Sequence, residues 1–159
     1  MTDAFNLIPI GSCESVDGLF GIRLTPECRD GLIGLSGFSH AIVLWWADQT
    51  DSTDQRAQMT VPRPYTATSE DFGVFATRSE ARPNPIGLSV FSIASVDHQA
   101  GLVTSHYFDL LHGTPILDIK PYVPASDRVI QAQTPTHFDH WPTSLEAAAA
   151  FNWDNEFRE

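Results

Sequence analysis

Short segments with strand-like patterns, separated by turns rich in proline and glycine, are the strongest constraint on how this chain can fold. Residues 40–47 (HAIVLWWA) are β-branched and aromatic, and a polar stretch follows them. Residues 86–96 (IGLSVFSIASV) alternate apolar with small or polar residues, as a strand with one buried face does. A turn at residues 98–101 leads into another alternating run, residues 102–110, so the two runs are predicted to form a long hairpin.

Other segments add short elements to this pattern. Residues 57–61 and 73–77 are predicted strands. Helical signals occur at residues 25–33, where a threonine precedes a proline, and at residues 143–151, which contain a run of alanines. Helices do not alternate with strands along the chain, so a Rossmann-type parallel sheet is not expected.

The pattern as a whole predicts a mainly β protein with one antiparallel β-barrel domain and one or two short helices. We place this domain at residues 1–128. Residues 129–159 are predicted to form a C-terminal arm that carries a short helix.

Composition excludes several protein classes. The chain has 159 residues, of which 42% are hydrophobic and 18% charged, as expected for one globular domain. Its longest apolar stretch, residues 41–47, is far shorter than the roughly 20 residues that span a bilayer. The first residues also lack the pattern of a secretory signal. We therefore expect a cytoplasmic protein with no membrane partner.

The potential metal ligands are not spaced as a metal site requires. Cys13 and Cys28 are far apart, and the six histidines form no recognisable ligand pattern. We expect two free thiols and no metal.

The charge balance disfavours an extended nucleic-acid surface. Nine basic residues stand against 20 acidic ones, which gives a net charge of -11. Neutralisation of phosphates by lysine and arginine supplies most of the affinity for nucleic acid. Any RNA partner must therefore be contacted by a local patch.

The first segment with unusual chemistry is residues 75–89 (FATRSEARPNPIGLS). It places Arg78 and Arg82 four residues apart, just before the stiff turn Pro83-Asn84-Pro85. Guanidinium groups on a stiff loop suit the binding of carboxylates or phosphates. The alternative is a rigid connection whose arginines pair with the acidic surface.

The second such segment is residues 109–122 (DLLHGTPILDIKPY). It contains a Gly-Thr-Pro turn, and Asp118 and Lys120 follow it two residues apart, on one face of a strand. The alternative is a simple turn followed by a surface ion pair.

Taken together, the two segments resemble the signature of the TrmO family, also called YaeB or TsaA-like. Residues 34–46 (GLSGFSHAIVLWW) and residues 8–11 (IPIG) resemble the family's first core strand and its opening strand. The resemblance runs over residues 8–124 in the family's order and spacing.

The resemblance implies an antiparallel β-barrel, a homodimer, binding of S-adenosylmethionine, and N6-methylation of threonylcarbamoyladenosine next to the tRNA anticodon. The cofactor contacts that it implies are Asp48, Gln49, Arg78, Leu88 through its backbone, Asp109, Leu110, Leu111, His112, Gly113 and Thr114. For the methyl acceptor, we expect Asn84, Asp118 and Lys120 to be catalytic residues. We expect Arg82 and Tyr122 to bind the substrate.

The chain departs from the family pattern at two positions in these segments. Glu80 stands where the family usually has proline, and His112 stands where it usually has aspartate. A neutral histidine can still accept a hydrogen bond. These departures, with the acidic charge, leave two alternatives open: a methyltransferase acting on a small molecule, and a non-catalytic sensor of S-adenosylmethionine.

Overall fold

Seven strands form one antiparallel sheet in the computed structural model, which describes residues 5–158. In chain order, and including the two strands of a small separate sheet, the strands are β1 (Gly11–Val16), β2 (Leu19–Leu24), β3 (His40–Trp46), β4 (Thr60–Val61), β5 (Phe72–Gly73), β6 (Ile86–Ser92), β7 (Ser95–Asp97), β8 (Leu102–Ser105) and β9 (Pro115–Pro121). The order across the large sheet is β6-β3-β9-β1-β2-β8-β7, and β4 pairs with β5. The expectation of a mainly β, antiparallel protein is confirmed.

The core is built from alternate residues of the central strands. Ile22, Val43, Val103 and Ile116 come from four different strands, and each is fully buried. Because side chains alternate between the two faces of a strand, one face of each strand supplies this core. The predicted strand at residues 40–47 is therefore a central strand of the sheet, paired on both sides.

The two edge strands of the large sheet, β6 and β7, follow one another in the chain. Ile93 and Ala94 join them, donating hydrogen bonds to the carbonyls of Ser39 and Thr104 respectively. No ladder connects β6 to β7 within residues 5–158, so the sheet is open between them. The closed barrel stays a prediction.

The predicted long hairpin is wrong in its extent. Only β7 pairs with β8, through Ser95 to Asp97, whereas β6 pairs with β3 over its whole length. The bend at Ile93 and Ala94 redirects the chain from one partner strand to the other. Alternation identifies a half-buried strand but does not say which strand lies beside it.

Most of the shorter predicted elements are present in reduced form. Of the predicted strand 57–61, only β4 (Thr60–Val61) is a strand. The predicted strand 73–77 is wrong, because β5 is Phe72–Gly73 and Val74–Ala76 form a 3-10 helix. The predicted helix at 25–33 is a 3-10 helix, Pro26–Leu32, which begins at a proline as expected. In the region 143–151 the helix is Leu145–Ala148, capped by the side chain of Ser144.

The remaining helices within residues 5–158 are short. The α-helices are α1 (Thr53–Arg56), α2 (Pro124–Asp127) and α3 (Leu145–Ala148). Further 3-10 helices are Leu35–Gly37, Asp48–Thr50, Val74–Ala76 and Thr136–Phe138. None of the helices in this part of the chain is long and apolar enough to cross a membrane.

The C-terminal residues pack through aromatic side chains. Tyr65, which precedes β5, contacts Phe138, Trp141 and Phe157 with ring centroids 4.7 Å, 5.6 Å and 5.8 Å away. Trp153 packs on Phe157 in turn. This aromatic cluster ties the end of the chain to the β4–β5 segment.

Candidate functional site

A groove of about 760 Å³ lies along the open edge of β6. The segment before β6, which carries Arg78 and Arg82, forms one side of the groove. The loop between β8 and β9 forms another. Its lining residues are Trp45, Ala47, Asp48, Gln49, Arg78, Glu80, Arg82, Ile86, Gly87, Leu88, Ser89, Tyr107, Phe108, Asp109, Leu110, Leu111 and Thr114.

The edge of β6 offers backbone hydrogen-bonding groups to this groove. Ala47 donates to the Pro85 carbonyl, and Ile93 donates to the Ser39 carbonyl, at the two ends of the β3–β6 ladder. Paired residues alternate along an antiparallel ladder, so the odd-numbered residues of β6 bond to β3. The N–H and C=O of Leu88 therefore point away from β3, toward the open edge.

Trp45 forms part of the groove wall. Its indole Nε1 donates to the Ser89 hydroxyl at 3.2 Å, and its cross-strand partner is Gly87. A Cβ atom on Gly87 would overlap the indole ring, so the absence of a side chain there lets the ring lie flat on β6. Trp45 is half-buried: it packs against the buried core and also lines the groove.

The Pro83-Asn84-Pro85 turn is held from both sides. Ile86 donates to the Asn84 carbonyl at 2.7 Å, and Pro85 is buried. On the other side, Arg56 Nε donates to the Pro83 carbonyl at 3.1 Å. The turn is thus fixed by packing and hydrogen bonds as well as by its proline rings.

Arg56 is itself oriented by two neighbours. Its guanidinium pairs with Asp51 at 3.0 Å and lies 5.7 Å from the centroid of the Trp46 ring. Asp51 also accepts a hydrogen bond from Trp46 Nε1 at 3.0 Å. This small network connects the end of β3 to the proline turn.

Arg82 braces its own loop. Its guanidinium donates to the carbonyls of Val74, Thr77 and Ser79 at 3.3–3.5 Å. These bonds occupy most of the fork with which an arginine binds a carboxylate. Arg82 lines the groove, as expected, but its geometry is that of a loop support rather than a free binding group.

Arg78 is the basic side chain of the groove that is available to bind a ligand. Its side chain is exposed and makes no ion pair or hydrogen bond with residues 5–158. It stands on the segment that Arg82 supports. The groove therefore has one guanidinium free to bind an anionic group.

The loop before β9 is anchored to β1. The N–H of Gly113, whose φ is +88°, donates to the Cys13 carbonyl at 2.8 Å, and Cys13 donates to the Thr114 carbonyl at 2.9 Å. Glycine adopts this left-handed conformation without steric cost. Leu110 and Thr114 are 8% and 7% exposed and form the deep part of the groove.

The charges that line the groove are mixed. Asp48, Glu80 and Asp109 contribute carboxylates, and Arg78 and Arg82 contribute guanidinium groups. The excess of carboxylates favours a ligand that carries a positive charge.

The structure brings most of the predicted cofactor and substrate residues to this one groove. Those that line it are Asp48, Gln49, Arg78, Arg82, Leu88, Asp109, Leu110, Leu111 and Thr114. His112 and Gly113 lie at the tip of the anchored loop and do not line it. Asn84 is exposed on the proline turn, next to the lining residues but not among them.

Three other predicted residues are separated from the groove. Asp118 is the cross-strand partner of Leu44, on the sheet face opposite buried Val43, and it lines a second cavity. Lys120 pairs with Asp118 at 2.7 Å, and this hydrogen bond raises the pKa of the lysine. Tyr122 packs edge-on against His40. None of these three side chains lines the groove.

Sequence reasoning missed two aromatic residues of the groove. Tyr107 and Phe108 both line it, and Phe108 is anchored by Phe91 with ring centroids 4.4 Å apart. Their signal was present, since two aromatic side chains directly precede the Asp109 loop. The predicted strand at residues 102–110 hid it, because β8 in fact ends at Ser105.

Residues 5–158 contain no group of three or more histidine, cysteine or acidic side chains that could hold a metal ion. Cys13 is buried and Cys28 is half-buried, and both are free thiols. Burial raises the pKa of Cys13.

Comparisons with known proteins cover most of the chain. The family model described as the tRNA-methyltransferase O N-terminal domain matches residues 4–128. A probable S-adenosyl-L-methionine-binding protein of Pyrococcus abyssi is 37% identical over 76% of this chain and 61% of that protein. The tRNA (adenine(37)-N6)-methyltransferase of Escherichia coli is 39% identical over 77% of this chain and 52% of that enzyme.

Solved structures agree with these sequence matches. A crystal structure of TrmO superimposes with a TM-score of 0.66 at 30% identity, over 83% of this chain and 64% of that one. The chain thus spans less than two thirds of the length of each of these three similar proteins. Because the family model matches well over half of the sequence, the chain belongs to the tRNA-methyltransferase O N-terminal domain family.

Proposed function

We propose that this protein is an S-adenosylmethionine-dependent methyltransferase that N6-methylates threonylcarbamoyladenosine next to the tRNA anticodon. The observation that carries the proposal is that the arginine-bearing segment before β6, with Arg78 and Arg82, and the loop before β9, with Asp109 and Thr114, line one groove. Both segments are those whose sequence resembles the family signature. The names of the Escherichia coli and human relatives, each a tRNA (adenine(37)-N6)-methyltransferase, support the same reaction.

The chemistry of the groove fits S-adenosylmethionine. The free guanidinium of Arg78 suits its carboxylate, and the exposed carboxylate of Asp109 suits its amine. The backbone groups of Leu88 at the strand edge suit a purine edge, which has both donors and acceptors. Asp48 and Gln49 add polar groups, and the acidic lining suits a sulfonium cation.

When bound, this cofactor supplies an activated methyl group, and the residues of the chain have to hold two reactants in line. Leu110 and Leu111 of the anchored loop exclude water from the groove. Arg82 fixes the segment that carries Arg78. Asn84, whose side-chain amide is exposed on the stiff turn, orients the acceptor in this proposal.

The test is a transfer assay with purified protein. S-adenosylmethionine with a deuterated methyl group is mixed with tRNA that carries threonylcarbamoyladenosine, and the nucleosides are analysed by mass spectrometry. We expect the label on the threonylcarbamoyl nucleoside, and none when the same tRNA lacks the threonylcarbamoyl group. An unlabelled nucleoside, with cofactor binding intact by calorimetry, would contradict the proposal.

A small-molecule acceptor is the second candidate function. The net charge of -11 and the carboxylates of the groove favour it, because both repel a polyanion. In that case the label would pass to a small amine and not to RNA. A protein that binds the cofactor and transfers no label to either acceptor would be a sensor.

We also propose the organisation of the whole protein. Residues 1–128 form the family domain, with the large sheet closing as a barrel through the shared β6–β7 segment, and residues 129–159 form an arm. The protein acts as a homodimer in the cytoplasm, where its tRNA substrate is found. Light scattering after size exclusion should give twice the chain mass of 17.6 kDa, and a mass of one chain would contradict the dimer.

A further inference from the structure

Tyr107 is an exposed aromatic side chain that lines the groove. Tyr107 is 68% exposed, so most of its surface is accessible from the groove. Its hydroxyl has no hydrogen-bond partner within residues 5–158. Neither core packing nor hydrogen bonding of the hydroxyl therefore explains the position of the ring.

The backbone at Tyr107 is held in place by a buried neighbour. The hydroxyl of Ser105, a fully buried residue, donates to the Tyr107 carbonyl at 2.9 Å and accepts from the Tyr107 N–H at 3.3 Å. The ring also packs edge-on against Phe20, with centroids 6.0 Å apart. A rigid aromatic ring presents contact area to a ligand at a small cost in conformational entropy.

Tyr107 stands at the mouth of the groove, whereas Leu110 and Thr114 form its deep part. Those two residues are 8% and 7% exposed, compared with 68% for Tyr107 and 63% for Leu111 beside them. The exposed ring of Tyr107 is accessible to a second molecule that enters the groove from the solvent side.

The charges of the groove indicate which part of an RNA could be recognised there. Three carboxylates line it, and of its two guanidinium groups the one on Arg82 is bonded to backbone carbonyls. Such a surface cannot neutralise several phosphates. Stacking of a base on an aromatic ring contributes about 1–3 kcal/mol per base and needs no cation.

We propose that Tyr107 is a substrate-binding residue on which the acceptor purine, turned out of its strand, stacks during methyl transfer. The proposal rests on the function proposed above and names how the acceptor is recognised. Recognition then depends on the flat face of one base and on few phosphate contacts. A higher salt concentration should consequently weaken RNA binding less than it does for enzymes that contact many phosphates.

The experiment compares Tyr107→Ala and Tyr107→Phe with the wild type and with Phe38→Ala. Phe38 is a matched control, since it is a 41% exposed aromatic residue that lines the second cavity instead of the groove. Calorimetry gives the affinity for S-adenosylmethionine, and the transfer assay gives KM and kcat for threonylcarbamoylated tRNA. Thermal unfolding verifies that each variant is folded.

We expect Tyr107→Ala to raise KM for tRNA by roughly 5- to 150-fold, as the loss of one stacked base predicts. The affinity for S-adenosylmethionine should stay within about twofold of the wild type, because the proposal assigns the ring to the acceptor and not to the cofactor. Tyr107→Phe should restore KM, since the ring is kept and only the hydroxyl is lost. Phe38→Ala should resemble the wild type.

Two results would overturn the proposal: an unchanged KM in Tyr107→Ala, or a tenfold loss of S-adenosylmethionine affinity, which would assign the ring to the cofactor. Failure of the proposed function has a different signature, namely wild-type protein that binds the cofactor but transfers no methyl group. In that event the affinity of the same tRNA for the wild type and for Tyr107→Ala, measured by calorimetry, decides the stacking claim. Equal affinities would reject it.

Discussion

The indole ring of Trp45 lies directly on Gly87, its partner across the β3–β6 ladder. A side chain at residue 87 would occupy the space of the ring, and Trp45 Nε1 is fixed by the Ser89 hydroxyl one position further along the same face. The position of Trp45 in the groove wall therefore depends on glycine at residue 87 of β6. Glycine within a strand often marks such a close approach.

Gly87→Ala is expected to destabilise the protein by about 1–3 kcal/mol, the usual cost of overpacking. The added methyl group must displace the Trp45 ring, so the tryptophan emission spectrum should change as well. Urea unfolding measures the first effect and fluorescence the second. Gly37→Ala is the control, because a Cβ there meets no atom within 4 Å, and equal stability of the two variants would contradict this arrangement.

Arg78→Ala is expected to weaken binding of S-adenosylmethionine by roughly 10- to 150-fold, since a hydrogen bond to a charged group contributes about 1.5–3 kcal/mol. Thermal stability should change little, because the side chain is exposed and has no partner within residues 5–158. Calorimetry measures the affinity. Arg128→Ala removes an exposed arginine outside the groove and serves as the control; unchanged affinity in Arg78→Ala would remove Arg78 from the site.

Arg82→Lys is expected to lower both stability and cofactor affinity, although it keeps the positive charge. A lysine ammonium cannot reach the three carbonyls of Val74, Thr77 and Ser79 as the planar guanidinium does. We expect a loss of about 1–3 kcal/mol in the free energy of unfolding, measured by urea denaturation. If Arg82 instead gripped the substrate, stability would stay unchanged and only KM for the acceptor would rise.

The aromatic cluster of the C-terminal residues should loosen in acid. Hydrogen bonds from Trp141 Nε1 at 2.7 Å and from His140 at 2.8 Å hold the pKa of Glu156 below its usual range. A lowered folded-state pKa stabilises the protein above the ordinary glutamate pKa of about 4.3, and this contribution is lost as the pH falls through the folded value. Near-ultraviolet circular dichroism should therefore lose aromatic signal as the pH falls below the ordinary glutamate pKa of about 4.3.

The matched variants for this prediction are Glu156→Gln and Asp154→Asn. Glu156→Gln should remove the acid-dependent step, whereas Asp154→Asn, at an exposed neighbouring carboxylate, should keep it. An acid transition that persists unchanged in Glu156→Gln would assign it to another group.

Much of the fold could be predicted from local pattern. The strand at residues 40–47 was placed correctly because β-branched and aromatic residues fill both faces of a central strand. The pairing of β6 could not be predicted, because alternation at residues 86–96 is the same whether the partner is β3 or β8. The bend at Ile93 and Ala94 is a tertiary feature that no local pattern records.

The site was predicted chiefly from motif resemblance, and the structure supplies the reason that two distant segments meet. Gly113 and Thr114 are bonded to Cys13 on β1, while the proline turn is bonded to Arg56 after β3. Asp118 and Lys120 belong to the same sequence motif as the loop before β9. Because side chains alternate along a strand, they lie on the face opposite the core. Tyr107 escaped prediction because residues 102–110 alternate like one continuous strand, whereas β8 ends at Ser105.

The most direct measurement is nucleoside mass spectrometry of tRNA from cells with and without the gene for this protein. The account predicts that the N6-methylated threonylcarbamoyladenosine disappears without the gene, that the unmethylated nucleoside accumulates in its place, and that the wild-type gene restores the methylated form while the gene encoding Arg78→Ala does not. An unchanged amount of the methylated nucleoside in cells that lack the gene, and that contain no second methyltransferase of this family, would contradict it.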